Sequence, residues 1–208
     1  MITLAIDTST NRGSVAVLID GELKMDEQFT SERSHSSSLF VVLEKVREIA
    51  PRVDRIVIGL GPGSYAGVRI SIAAALGIQL TQGAELVGIP SVAALETDAS
   101  RYIAIGDARR ETFYWTDINE GACIEGPLLL TEAELRERLP ANTLPVFVGE
   151  SLAISPEAQI ALPSAAILAR LGAADRGIVA RNDLEPIYLR EPHITQPKRA
   201  TIPLPPTL

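Results

Sequence analysis

Ile56-Val57-Ile58-Gly59-Leu60-Gly61-Pro62-Gly63-Ser64-Tyr65-Ala66-Gly67-Val68-Arg69-Ile70-Ser71 decides the fold of this chain. Its β-branched start reads as a buried strand, and Gly-Pro-Gly-Ser ends that strand sharply. A helix of small residues follows from near Ala66 to Gln82, through Ile72, Ala73, Ala74, Ala75 and Leu76. Strand, glycine turn and helix N-terminus together offer backbone N–H groups to an anion. The loop is not a Walker sequence, because no Gly-Lys-Ser/Thr follows. Nor is it the dinucleotide fingerprint, because the step from Gly63 to Gly67 is one residue too long.

Working outward, the first lobe reads as a meander followed by helix crossovers. Leu4-Ala5-Ile6 and Ser14 to Ile19 are strands around the polar turn Ser9 to Gly13, and Asp20-Gly21 turns the chain into a third strand from Glu22 to Phe29. The spacing of Leu39, Leu43, Val46 and Ile49 predicts a helix over Ser36 to Ala50, stopped by Pro51. Leu86 to Ile89 reads as a short buried strand, with a helix near Ser91 to Thr97. Tyr102 to Ile105 and Thr112 to Trp115 then form a second hairpin around Asp107 and its neighbours. It looks like a repeat of the hairpin of residues 3–17 at an offset of roughly 100 residues, which is either a duplicated unit or a chance similarity of two hairpins. Thr131 caps a helix to Leu139, Val146 to Gly149 is a strand, and Ser164 to Leu171 is a helix. Pro186 to Arg190 is the last element expected to be ordered. Five prolines after residue 191 make residues 191–208 an extended tail.

Composition narrows the function classes. The 208 residues suffice for one large domain or two small lobes. A hydrophobic share of 46% with 22% charged residues is that of an ordinary globular chain. The lone Cys123 excludes an internal disulfide and fits a reducing compartment. No basic leader precedes the first strand, and apolar stretches break off before membrane-spanning length, so a cytoplasmic location is expected. With 26 acidic against 19 basic side chains the net charge is −7. Such a chain is poorly built to hold a nucleic acid by itself; if it acts on one, a partner would supply most phosphate contacts.

Several residues stand out chemically. Asp7 ends a buried strand, where a carboxylate must be solvated, paired or part of a site; it could equally cap the Thr8-Ser9-Thr10 turn. Arg69 lies in the first turn of its helix, against the dipole, which suggests a carboxylate such as Glu32 or a phosphate beside it. Asp107, Ala108, Arg109 and Arg110 make a charged turn that could meet a phosphate or simply face water. His35 has Leu39 four residues on, so no second imidazole completes a metal pair, and no metal site is expected. Ser64 is not in a Gly-x-Ser-x-Gly elbow, and no histidine follows until His193, which argues against a serine peptidase. The helix after the loop is apolar nearly all round, with Gly67, Ser71, Ala74 and Ile78 on one stripe and Ile70, Ala73 and Gly77 on another. It is either a central core helix or one packed closely on a partner.

Gly61-Pro62-Gly63-Ser64-Tyr65-Ala66-Gly67-Val68-Arg69-Ile70 resembles the glycine signature of the TsaB (YeaZ-type) family. Ala5-Ile6-Asp7-Thr8-Ser9, Arg33-Ser34-His35-Ser36, Asp107 to Glu111 and Tyr188-Leu189-Arg190 are similar to other stretches of that family in order. The resemblance covers residues 2–115 well and thins beyond. It implies an α/β, two-lobed actin-like ATPase superfold (the sugar kinase and heat-shock chaperone ATPase class), with an N-terminal lobe over 1–100, a reduced second lobe over 101–190 and the tail.

The same resemblance implies a non-catalytic scaffold for threonylcarbamoyladenosine formation beside the tRNA anticodon. The chain would pair with the catalytic TsaD subunit, join TsaE in a ternary complex, form a homodimer when alone, and meet tRNA only through the complex. His35, Leu39, Leu43, Val46, Ile70, Ser71, Ala74, Gly77 and Ile78 would form the subunit interface. Asp7, Thr8, Ser9, Gly61, Gly63, Ser64, Gly67 and Arg69 would line a phosphate-facing site reduced to a vestige. No cofactor would be required, with weak adenine nucleotide binding left open. The alternative is an independent phosphotransferase of the same fold, using ATP and magnesium at those residues.

Overall fold

The computed structural model describes residues 1–30 and 35–190, with side chains from residue 37 onward in the second span. The Pro-rich tail, Glu32, the Arg33-Ser34 motif and the His35 side chain lie outside the described residues. The first hairpins are β1 (Ile2–Asp7), β2 (Arg12–Ile19) and β3 (Glu22–Thr30), followed by helix α1 (His35–Ile49). Strand β4 (Arg55–Gly59), helix α2 (Tyr65–Gln82) and strand β5 (Glu85–Ile89) complete the first unit. Strands β1, β2 and β3 pair antiparallel, while β4 and β5 join the β1 side in parallel, giving the order β5-β4-β1-β2-β3.

The second unit repeats this order. It contains β6 (Arg101–Asp107), β7 (Thr112–Asn119), β8 (Ala122–Thr131), helix α3 (Glu132–Ala141), β9 (Val146–Val148) and β10 (Gln159–Ile160). Its sheet runs β10-β9-β6-β7-β8 with the same pattern of parallel and antiparallel pairs. Asp20-Gly21 and Glu120-Gly121 turn the two second hairpins with matching positive φ angles, 51° and 85° against 50° and 77°. Tight hairpins favour this turn because its twist matches that of the strands. The duplicated sheets establish the two-lobed actin-like α/β architecture. The second copy is reduced: α3 is shorter than α1, and no helix matching α2 connects β9 to β10.

The last ordered segments return to the first sheet. Helix α4 (Ala165–Ala173) packs on β1, β2 and β4, and strand β11 (Ala180–Arg181) pairs antiparallel with β5. The sheets therefore do not divide the chain at a single point near residue 100. Ala5, Val57 and Val87 from the first sheet meet Ala104, Ile118 and Phe147 from the second through α4. Leu4, Ile6, Ile56 and Ile58 face the opposite way, into a core closed by α1 and α2. Alternate residues of β1 and β4 thus bury on both faces, which explains their nearly uninterrupted apolar sequence. Ile103, Ile105, Trp115 and Leu135 form a third core under α3.

Local signals act as expected at α3, where Thr131 and Glu134 make a reciprocal capping box. The helix expected near Ser91 to Thr97 is corrected to a single 3-10 turn, Ser91–Ala94. Ser91 is tied to Gly61 through both its backbone and its hydroxyl, and Leu95 already bridges to Pro163. The chain is pulled back into extended backbone before a helix can propagate. No helix among the described residues is long and apolar enough to cross a membrane.

Candidate functional site

The β1–β2 turn and the glycine loop meet where β1 and β4 end side by side in the sheet. Asp7 is fully buried, and its Oδ1 accepts hydrogen bonds from Ser9 N at 2.9 Å and Ser9 Oγ at 2.7 Å. Its Oδ2 has no partner of good hydrogen-bond geometry. Burial raises the Asp7 pKa above the ordinary carboxylate value; the nearby Ser91 hydroxyl, the Ser9 donors and the Arg12 charge offset this only in part. Thr8 Oγ1 donates to the Gly67 carbonyl at 2.7 Å, and Ser64 N donates to the Ser9 carbonyl at 2.6 Å. The Ser64 hydroxyl caps α2 by accepting from Gly67 N at 3.2 Å.

These bonds close the loop onto the turn. A Cβ on Gly63 would overlap the Ser9 carbonyl, and one on Gly67 would overlap the Thr8 carbonyl. The glycines are required by this contact between two backbones. The structure brings Asp7, Thr8, Ser9, Gly61, Gly63, Ser64 and Gly67 together, and buries all but Gly63 and the half-buried Ser64. A triphosphate with its magnesium does not fit: the carboxylate that would face it is enclosed, and Ser64 N and Gly67 N are already bonded within the chain. Among the described residues no cluster of three His, Cys, Asp or Glu side chains is placed to hold a metal. Ser91 is the member that sequence reasoning missed. Its hydroxyl accepts from Gly61 N at 2.9 Å, and its N–H donates to Gly61 O at 2.7 Å. Only Pro90 before it hinted at a special position.

Arg69 stands apart from this cluster. It bonds the Tyr65 hydroxyl at 2.9 Å and lies 5.2 Å from that ring's centre, with no acid paired to it among the described residues.

The second feature is a groove between α1 and α2, of about 630 Å³, floored by Leu4 and Val53. Leu43, Val46, Ile70, Ala74, Gly77 and Ile78, all expected at an interface, line it. Leu39 and Ser71 do not: both are fully buried, Leu39 in the core and Ser71 bonded to the Val68 carbonyl. Ala73, from the stripe of Ile70 and Gly77, and Phe40, which the sequence reading did not mark, complete the walls, and Phe40 is 55% exposed. Nor is α2 central, for Leu80 near its end is 86% exposed. One face of α2 packs on β1, β4 and β5, while Ala73, Leu76 and Gly77 reach the surface.

The chain is similar in sequence and fold to known proteins. A family model described as TsaD, tRNA N6-adenosine threonylcarbamoyltransferase, matches residues 30–125. The Escherichia coli (strain K12) protein named tRNA threonylcarbamoyladenosine biosynthesis protein TsaB is 25% identical over 91% of this chain and 95% of its own length. The TsaB of Haemophilus influenzae is 27% identical over 90% of this chain and 92% of its own. The crystal structure of YeaZ from Pseudomonas aeruginosa superposes with a TM-score of 0.71 at 26% identity, over 90% of this chain and 99% of its own. The chain is similar to the TsaB (YeaZ-type) proteins over about nine-tenths of its length. A second Pseudomonas aeruginosa structure, described as similar to peptidase YeaZ, gives a TM-score of 0.72 at 26% identity.

Proposed function

We propose that this chain is the scaffold subunit of a threonylcarbamoyladenosine-forming assembly, and that chemistry on the tRNA adenosine is done by a TsaD-type partner. The open apolar groove between α1 and α2 carries this reading. A groove walled by Phe40, Leu43, Ile70, Ala73 and Ile78 leaves apolar side chains open to solvent on both of its helices, a shape that suits a partner helix. Its small residues at Ala73, Ala74 and Gly77 let a partner helix approach closely. The enclosed carboxylate and self-bonded glycine loop support a role without nucleotide turnover or a resident cofactor. Alone, the chain pairs with a second copy through the same groove; with TsaD present, the heterodimer replaces that pair and recruits TsaE. The partner supplies most contacts to tRNA phosphates.

Light scattering on the chain alone, and then mixed with TsaD from the same organism, tests this. A homodimer that converts to a one-to-one complex is expected. Absence of any complex, together with calorimetric binding of ATP by the chain alone, would overturn the scaffold reading in favour of a nucleotide-using enzyme.

A further inference from the structure

Among the described residues Arg12, Arg55, Arg101, Arg109, Arg136, Arg138, Arg176 and Arg181 are in ion pairs. Arg47, Arg52, Arg69, Arg110, Arg170 and Arg190 are not. Arg69 and Arg190 belong to one run of contacts, and Arg110 follows Arg109, which that run touches. Arg69 is bonded to Tyr65, whose ring lies 5.5 Å from that of Tyr188. Two residues on, Arg190 donates to Thr112 Oγ1 at 2.5 Å and to the Arg109 carbonyl at 3.4 Å. The Arg190 Nε is buried without a partner. Ile187 N donates to the Leu60 carbonyl and fixes the strip to the glycine loop.

Two features mark this strip. Tyr65 and Tyr188 are 48% and 46% exposed, although each is a large ring with a paired neighbour. Arg109, Arg110 and Glu111 are three successive non-glycine residues in the left-handed region, with φ of 65°, 53° and 60°. Such backbone is unfavourable for residues with a Cβ and persists where its surroundings hold it. Here Asp107 accepts from Arg109 N at 2.6 Å, while Thr112 and Arg190 hold the Arg109 carbonyl. The exposed Arg110 is presented without any ion-pair partner among the described residues. The neighbouring acids are Asp107, which pairs with Arg109, and the exposed Glu111 and Glu185.

We propose that Tyr65, Tyr188, Arg69 and Arg110 form a contact for single-stranded RNA, with a base stacked on the tyrosines and its phosphates on the arginines. Aromatic faces beside guanidinium groups suit this ligand, since every base has a face to stack and every nucleotide a phosphate to neutralise. The assignment rests on the reading of the chain as part of a tRNA-modifying assembly, and replaces the expectation that it meets tRNA only through its partner. The same chemistry would accept a free adenine nucleotide, which the test must separate from a strand.

The probe is a fluorescein-labelled single-stranded RNA of about ten nucleotides, followed by anisotropy with the full chain over a salt series. Tyr188→Leu is expected to weaken binding about tenfold, the scale of one lost stacking contact. Arg69→Gln/Arg110→Gln is expected to lower the slope of log affinity against log salt by about one to two. Arg52→Gln/Arg170→Gln removes two other unpaired arginines and is expected to change little. Equal losses in that control would reduce the effect to general charge and overturn the proposal, as would unchanged binding by both strip variants. ATP that displaces the RNA and itself binds less to Tyr188→Leu would overturn it in favour of a free-nucleotide site. The arginine pair is exposed, so it keeps the test open if Tyr188→Leu folds poorly. Failure of the wild-type chain to pair with TsaD would count against the functional reading instead, because it is scored by mass and not by anisotropy.

Discussion

Thr8 and Gly67 are locked together: the Thr8 hydroxyl donates to the Gly67 carbonyl at 2.7 Å, and the Thr8 carbonyl lies where a Gly67 Cβ would stand. A loop that in form could cradle an anion is filled by its own chain. Gly67→Ala sets a methyl against a backbone oxygen that no rotamer change can move. It is expected to lower unfolding free energy by about 2–4 kcal/mol. Gly77→Ala, in the same helix with open space at its Cβ, is expected to stabilise by about 0.5–1 kcal/mol. Urea unfolding of both variants checks the contrast, and equal effects would refute the packing account of Gly67.

Asp7 makes stability depend on pH in a defined direction. Its folded pKa is raised, first by burial, so the folded state holds the proton more tightly than the unfolded chain does. Its contribution is fully present below the unfolded value of about 3.9 and is lost as pH rises through the folded pKa. Asp7→Asn keeps the shape and removes the titration. The variant is expected to gain on wild type steadily from about pH 4 toward neutrality. Denaturant midpoints across that range measure it, and a difference flat with pH would contradict it.

Ser91 supplies the Gly61 N–H with its acceptor inside the protein. Ser91→Ala leaves that donor buried without a partner, at an expected cost of about 1–3 kcal/mol. Amide exchange at Gly61 should rise by more than the global loss accounts for. If Gly61 stays as protected as in wild type, the hydroxyl is not its acceptor.

At the groove, Ala73 is exposed and Ala74 is almost fully covered by the chain itself. Ala73→Arg is therefore expected to abolish pairing with TsaD and with a second copy while shifting stability by less than about 1 kcal/mol, as surface changes do. A charge left unpaired in a closed interface costs several kcal/mol. Light scattering reads the masses and thermal unfolding the stability. Pairing that survives the change would place the interface elsewhere.

Much of this was legible beforehand. The β-branched run before Gly61, the Asp20-Gly21 turn and the Thr131 cap each carry their instruction in adjacent residues, and each element forms where expected. Strand β8 did not announce itself, since Gly126-Pro127 interrupts it and its apolar residues do not alternate. Strands β10 and β11 are two residues long and exist only because β9 and β5 offer them an edge. Of the candidate site, Asp7 and the loop glycines could be named from their strand-end and turn positions; Ser91, Phe40 and Tyr188 could not, because their roles depend on distant neighbours.

By itself the sequence determined the strand-loop-helix unit and the likeness of the second hairpin to the first, one hundred residues earlier, because local periodicity and turn chemistry are encoded within a few residues. Tertiary structure alone decided that the glycine loop closes on Thr8 and Ser9, that α4 joins two sheets, and that α1 and α2 leave a groove open between them. Periodicity tells which face of an element is apolar. Which faces meet, and which stay open, depends on contacts between residues far apart in the chain.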